Sequence, residues 1–391
     1  MNSVHGRLSV ERVPLLSLRE EWSALAARAR TQSFFVSWAF ISTWWEHFRR
    51  RREGRVFLLR EPSGSVAAIV PLYVEECALR FGTVRVLRNV GFSDVVNPDF
   101  LDVLVPPGRE DAVADALMPA LREDTSWEYA EFSELASDSS LARMAQRWER
   151  VLGAELRIVR RGVCPYITLP ESYEDFLRSR NAHFRHQLRR YRRKIERELG
   201  VVWKRVGEDA KVGDAMVALT RLHQERMEAT GRGGNFAKRD YFAFHRELAE
   251  RLQQSGELYF WLLYVEGTPI ASHYGFLKDD VYFGYQMGFS PRYHKWSPGH
   301  YMTGVVLEKL IAQGVREMNL LRGTDRWKYR WTDQARETIT CSMIRPAWRS
   351  RSAFVRASLS ASPPLALRFI MGRDSFEELR DAWKRARTIT S

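Results

Sequence analysis

The sequence predicts an α/β protein assembled from two related halves. Its 391 residues exceed what one hydrophobic core usually organises. With 45% hydrophobic and 12% aromatic residues the composition is that of a globular chain. A β-hairpin pattern also occurs twice, as VFLLREPSGSVAAIVPLYVEE near residue 60 and as YFWLLYVEGTPIASHYGFLKDD near residue 260. Leu58-Leu59 aligns with Leu262-Leu263, and Val66-Ala67 with Ile270-Ala271.

Two helical stretches precede each hairpin, and strand, helix and strand follow it, which is the pattern of a duplicated unit. The expected division is an amino-terminal domain at 1–160, a second domain at 161–345 that includes a basic helix at 172–199, and a basic helical tail at 346–391.

In chain order, RLSVERVPLL reads as a strand, and Ser17 is placed to cap a helix carrying Leu18, Trp22 and Leu25 inward. Ser37 precedes a helix whose Trp38, Ile41, Trp44, Trp45 and Phe48 form a core-packing stripe. Beyond the first hairpin, DVLV, REDAVADALMPALRE and WEYAEFSEL read as strand, helix and strand. SYEDFLRSRNAHFRHQLRRYRRKIERELG reads as one helix, with Ser172 and Asp175 resembling a capping box and Gly200 as its stop. Leu177, Phe184, Leu188, Tyr191, Ile195 and Leu199 make its apolar stripe, and the opposite face is densely cationic from Arg178 to Lys194. A last helix is expected around SFEELRDAWKRAR, after a break at Pro363-Pro364.

The net charge of +13 invites a polyanion partner, but only nine of the 61 basic residues are Lys, and such an Arg bias weakens that inference. Cys77, Cys164 and Cys341 are too dispersed for a zinc site or a disulfide framework, which favours a reducing compartment and no metal. The first residues lack the apolar stretch of a signal peptide and no run of eighteen apolar residues occurs, so a cytoplasmic location is expected. There is no G-x-S-x-G, H-E-x-x-H or P-loop; GRGGN at 231–235 reads as a loop able to cover a substrate.

Residues 284–331 hold the densest chemistry. A strand ends near Phe289, and Ser297-Pro298-Gly299 opens a helix, Ser as N-cap and Pro as first helical residue. Helix N-termini attract phosphate, and Arg292, His294, Lys295 and His300 surround this one; the alternative is an ordinary capped helix. Further on, EMNLL runs into RGTDRWKYRW, where Lys328 is a candidate for holding developing negative charge, or else a solvated lysine. His223 and Arg226 share a helix and are candidates for positioning an acceptor, with a structural role as the alternative for His223. His273 faces either cleft or core, and strand alternation sends only one of Tyr285 and Gln286 into the cleft.

The order of SFFVSWAFISTWWEHF, IVPLY, SDVVNPDFLDVLV, VCPYITLP, RNAHFRHQLRRYRRKIER, LTRLHQERMEATG, VEGTPIASHYGF, YQMGFSPRYHKWSPG and LLRGTDRWKYRW resembles the GNAT-like acetyltransferases typified by the cellulose-biosynthesis protein CelD, with their BioF-like acetyltransferase domains, related to the Fem peptidyltransferases. The resemblance implies two tandem GNAT-like domains with mixed, mostly antiparallel sheets, the second retaining the cleft. Ser297, Pro298 and Gly299 match the family's S-P-G helix start, and Lys328 matches the lysine of its Tyr-Lys pair, with Trp327 in place of the tyrosine. The usual GNAT phosphate motif Q/R-x-x-G-x-G/A is absent. The matching helix of the first half opens with Glu110 and Asp111, which would repel a pyrophosphate.

The expected reaction is acyl transfer from acetyl-CoA or another acyl-CoA to an amine or hydroxyl of a polysaccharide or cell-envelope precursor. Lys328, Asp325 and Tyr285 are the expected catalytic residues, Arg292, Ser297, Pro298, Gly299 and His300 the donor site, and His223, Arg226, His273 and Gln286 the acceptor site. Two alternatives stand beside it. One is Fem-like transfer from aminoacyl-tRNA, with the cationic helix on the RNA backbone. The other is a non-catalytic accessory docked on a polysaccharide synthase or an anionic membrane, hence peripheral to the inner membrane.

Overall fold

Among the described residues twelve strands form one sheet: β1 Ser9–Arg12, β2 Arg52–Arg60, β3 Val66–Leu79, β4 Gly82–Asn89, β5 Tyr129–Ala136, β6 Glu155–Thr168, β7 Val202–Arg205, β8 Leu258–Val265, β9 Thr268–Lys278, β10 Val281–Phe289, β11 Glu317–Asn319 and β12 Ala335–Ile344. The helices are α1 Arg19–Ala29, α2 Trp38–Phe48, α3 Glu110–Glu123, α4 Ser140–Leu152, α5 Tyr173–Ser179, α6 Ala182–Leu199, α7 Val212–Glu228, α8 Arg239–Ser255, α9 Pro298–Ala312 and α10 Trp348–Ala361. This computed structural model describes residues 7–361 apart from 30, 32, 80, 81, 232 and 233. SFEELRDAWKRAR, Pro363-Pro364 and residues 232 and 233 of GRGGN therefore lie outside the described residues.

The sheet order is β1-β2-β3-β4-β5-β12-β6-β11-β10-β9-β8-β7. Exchanging β1 for β7, and so on to β6 for β12, returns the same order reversed, so the duplication is a pseudo-twofold whose axis passes between β12 and β6. In each repeat an antiparallel meander, β2-β3-β4 or β8-β9-β10, crosses through one helix, α3 or α9, to a parallel strand, β5 or β11. The mixed, mostly antiparallel α/β fold expected from the sequence is the fold observed. The boundary expected at residue 160 falls inside β6, which pairs with β12 over most of its length and with β11 through Tyr166, Ile167 and Thr168.

Apolar burial drives the halves together. Helix α2 packs on its counterpart α8, Phe40 edge-on to Phe244 at 5.6 Å, and Phe34 stacks on Phe276 at 4.2 Å. All four rings are fully buried. Ser37 caps α2 as expected, accepting the Phe40 N–H at 3.3 Å.

Four local expectations are corrected. Ser17 does not cap α1; its hydroxyl donates to the Pro14 carbonyl at 2.8 Å. DVLV forms no strand, only a single bridge at Leu104 beside another at the preceding Leu101, and Asp102 between them turns its carboxylate onto the Ser140 and Leu141 N–H groups at the start of α4. The basic stretch is two helices rather than one: Asn181 accepts the Phe184 N–H at 2.9 Å and starts α6 afresh after the extended Arg180. The capping box is incomplete, since Ser172 accepts the Asp175 N–H while the Asp175 carboxylate takes the Ser172 hydroxyl proton instead of a backbone N–H. Gly200 ends α6 in left-handed backbone, φ 55°. The cationic face of this stretch is partly paired, Arg178 with Asp175, Arg189 with Glu174 and Arg192 with Glu308. No helix among the described residues is long and apolar enough to cross a membrane.

Candidate active site

The cleft arises where two parallel strands part. β10 and β11 pair from Val281↔Glu317 to Phe283↔Asn319 and then separate. Past that point β10 bulges against β9, so that residues 283 and 286 face residues 276 and 274. The bulge defeats simple alternation: Tyr285 and Gln286 both line a cavity of about 290 Å³, which corrects the expectation that only one would. His223, His273, Asp325 and Lys328 line the same cavity.

Lys328 is buried at 5% exposure and is anchored by two carbonyls, donating to Leu321 at 2.8 Å and to Arg322 at 2.6 Å. Burial lowers its pKa to about 8, with Asp99 and Asp325 opposing that shift. Gly323, at φ 133°, permits this approach, because a Cβ there would lie 3.1 Å from Nζ. Asp325 is exposed, and its carbonyl accepts the Lys328 N–H at 3.0 Å.

Tyr285 is held from behind. Its oxygen accepts from the Tyr241 hydroxyl at 3.2 Å and lies 3.1 Å from Nε2 of the buried His245. Burial raises the Tyr285 phenol well above its ordinary value, so it stays protonated. The two lining histidines are neutral for the same reason, each pushed down to about 4 chiefly by burial. His273 takes a hydrogen bond from Tyr282 on Nδ1 at 2.8 Å, and His223 takes one from the Gln286 amide at 2.8 Å. His223 Nδ1 is buried with no hydrogen-bond partner.

A second cavity of about 180 Å³ opens at the start of α9, lined by His294, Ser297, Pro298, Gly299 and His300. It shares Arg226, Met287 and Trp327 with the first, so the two meet at those side chains. Ser297 is not a side-chain cap; it adopts left-handed backbone, φ 53°, and forms no capping hydrogen bond. The first intrahelical bond runs from Tyr301 N–H to Ser297 O, so the N–H groups of Gly299 and His300 lie ahead of it and Pro298 has none. Arg226 donates to the Met287 carbonyl at 3.0 Å with its guanidinium 5.2 Å from the Phe289 ring.

The donor residues do not all converge. Arg292 is exposed and outside the lining of either cavity. His300 lines the second cavity but is not a cation: burial and Arg330 bring it down to about 4, and its ring is sandwiched between Tyr191 and Trp331 at 5.7 and 6.1 Å. Its Nδ1 is buried without a hydrogen-bond partner. The sequence gives no role to His245 or Asp99, which no local pattern marks, since their partners are remote in the chain. Among the described residues no group of His, Cys, Asp and Glu is arranged to hold a metal ion.

Residues 182–329 match the family model for the acetyltransferase (GNAT) domain. The fold resembles the crystal structure of FemX, with a TM-score of 0.60 at 9% identity over 85% of this chain and 96% of that one. It also resembles L-PGS from Bacillus licheniformis, with a TM-score of 0.52 at 11% identity over 88% of this chain and 95% of that one. A tandem GNAT protein from the clavulanic acid biosynthesis pathway aligns with a TM-score of 0.44 at 11% identity over 87% of this chain and 99% of that one. No curated protein sequence matches the chain.

Proposed function

We propose that the protein transfers an acyl group from a CoA thioester to an amine or hydroxyl, with the donor at the start of α9 and the acceptor in the cavity of Lys328. The acceptor class we favour is a polysaccharide or cell-envelope precursor, as the resemblance implies. The observation that carries the reading is the meeting of the two cavities at Arg226, Met287 and Trp327, one at a helix N-terminus and the other at a buried amine.

The residues present suit a phosphate-bearing donor. N–H groups ahead of the first intrahelical bond and the positive end of the helix dipole both offer contacts to an anion. Gly299 keeps the entrance open: a Cβ there would already touch the Phe289 ring at 3.4 Å. A bound CoA thioester supplies the activated carbonyl.

Two protons of the Lys328 ammonium are taken by carbonyls, which leaves the third for the cavity. There it stabilises the oxyanion that develops as the acceptor attacks, in a site that needs no reorganisation. His273, His223 and Gln286 are neutral hydrogen-bonding groups suited to orienting the acceptor's polar atoms. Asp325 lies at the rim, where an exposed carboxylate can pass the acceptor's proton to water.

Isothermal titration with acetyl-CoA and longer acyl-CoAs tests the donor, and a Gly299→Asp variant tests its place. Binding lost in the variant supports the reading; no heat with any acyl-CoA in the wild type overturns it.

A further inference from the structure

We propose that Asp99 and Glu134, both in the amino-terminal repeat, are positioning residues for Lys328 and act on it through Arg322. The cleft of the second repeat is then incomplete without the first. The proposal rests on Lys328 being the working amine of the site.

Arg322 is the hinge of the argument. Its carbonyl holds the Lys328 amine, while its side chain reaches away into the first repeat. There Nε and Nη2 both donate to Asp99 Oδ1, at 2.9 and 2.8 Å, and the backbone N–H donates to Asp99 Oδ2 at 2.9 Å. Nη2 also pairs with Glu134. One carboxylate thus fixes the backbone and side chain of the residue whose carbonyl sets the amine.

Both acids are committed to this task by burial. Asp99 is 4% exposed and Glu134 is 0% exposed, and Glu134 adopts left-handed backbone, φ 60°. Thr338 of β12 donates to Glu134 Oε2 at 3.1 Å, so the strand exchanged between the repeats buttresses the clamp. The path is narrow as well: a Cβ on Gly162 of β6 would lie 2.9 Å from the Arg322 side chain. On the other side of the loop, Leu321 N–H donates to Asn319 Oδ1 at 2.9 Å and Gly323 N–H to the Val163 carbonyl at 3.0 Å. Buried charge pairs of this kind have few alternative arrangements, which suits them to fixing one geometry. Asp99 is also the largest of the influences that hold the Lys328 pKa up against burial.

The test reads the amine directly. Full-length wild type, Asp99→Asn and Glu134→Gln are pulsed with acetyl N-hydroxysuccinimide, and acetylation of each lysine is followed by mass spectrometry. Lys278, half-buried and likewise bound to two carbonyls, those of Thr31 and Ser33, is the internal control. The expected result is acetylation of Lys328 about tenfold faster in the variants with Lys278 unchanged, as the loop gains freedom to open. Unchanged Lys328 reactivity in folded variants overturns the proposal, even if their melting temperature falls. Should Asp99→Asn not fold, Glu134→Gln, which keeps Asp99 on Arg322, carries the same test. Full activity in Lys328→Ala would instead defeat the catalytic reading and leave the labelling result standing.

Discussion

The ε-amine of Lys328 lies 2.8 Å from the carbonyl oxygen of Leu321, a branched residue held in left-handed backbone at φ 55°. That conformation is costly for leucine. It turns two successive carbonyls, those of Leu321 and Arg322, toward one amine. The amine is thereby oriented before any substrate arrives.

Replacing Lys328 by Ala should lower turnover by roughly 10²–10³-fold, the range for loss of an oxyanion donor, with the circular dichroism spectrum retained. The proposed role needs the ammonium, and its pKa is about 8. Turnover should therefore hold below pH 8 and fall as pH rises through it. The residual activity of Lys328→Arg should lack that alkaline limb, because a guanidinium keeps its proton. A pH–rate profile of both proteins checks this.

Gly323→Ala should destabilise the protein by about 1 kcal/mol or more and depress turnover further than donor affinity. The new Cβ would sit at φ 133°, 3.1 Å from Lys328 Nζ and 3.2 Å from Asp325 Oδ2. Gly64, at φ 86° with open space around it, is the control: Gly64→Ala carries the backbone penalty without touching the site. Denaturant melts and initial rates separate the two effects.

Gly299→Asp should weaken acyl-CoA binding by about tenfold or more while leaving the melting temperature unchanged or slightly raised. A carboxylate in the first turn repels phosphate yet favours the helix dipole, so affinity and stability move in opposite directions. Arg292→Glu, exposed and outside the cavity lining, should change affinity by only about twofold. Titration calorimetry and thermal melts distinguish these outcomes.

Tyr285→Phe should cost about 1–3 kcal/mol of stability, because it strands the Tyr241 hydroxyl and His245 Nε2 in a buried setting. Turnover should fall less than in Lys328→Ala, since the phenol is engaged with His245 and Tyr241. Chemical denaturation and steady-state rates measure both.

Much of this architecture is legible locally. The two hairpins, the Ser37 cap and the S-P-G helix start are written in turn residues and apolar spacing, whose effects span only a few residues. Helix α4 also carries such marks, Ser139 as its cap and Gly153 in left-handed backbone after it. Ser17 shows the limit of that reasoning: a good capping residue spent its hydroxyl on Pro14.

By itself the sequence determined the α/β class and the repeated hairpin, because hydrophobic periodicity and turn chemistry act at short range. Only the tertiary structure decided the exchange of β6 and β12 between repeats, the bulge that brings Tyr285 and Gln286 into one cavity, and the bond between Arg322 and Asp99, 223 residues apart. Such choices depend on which charges and strand edges can be satisfied once the halves are packed, and that balance exists only in three dimensions.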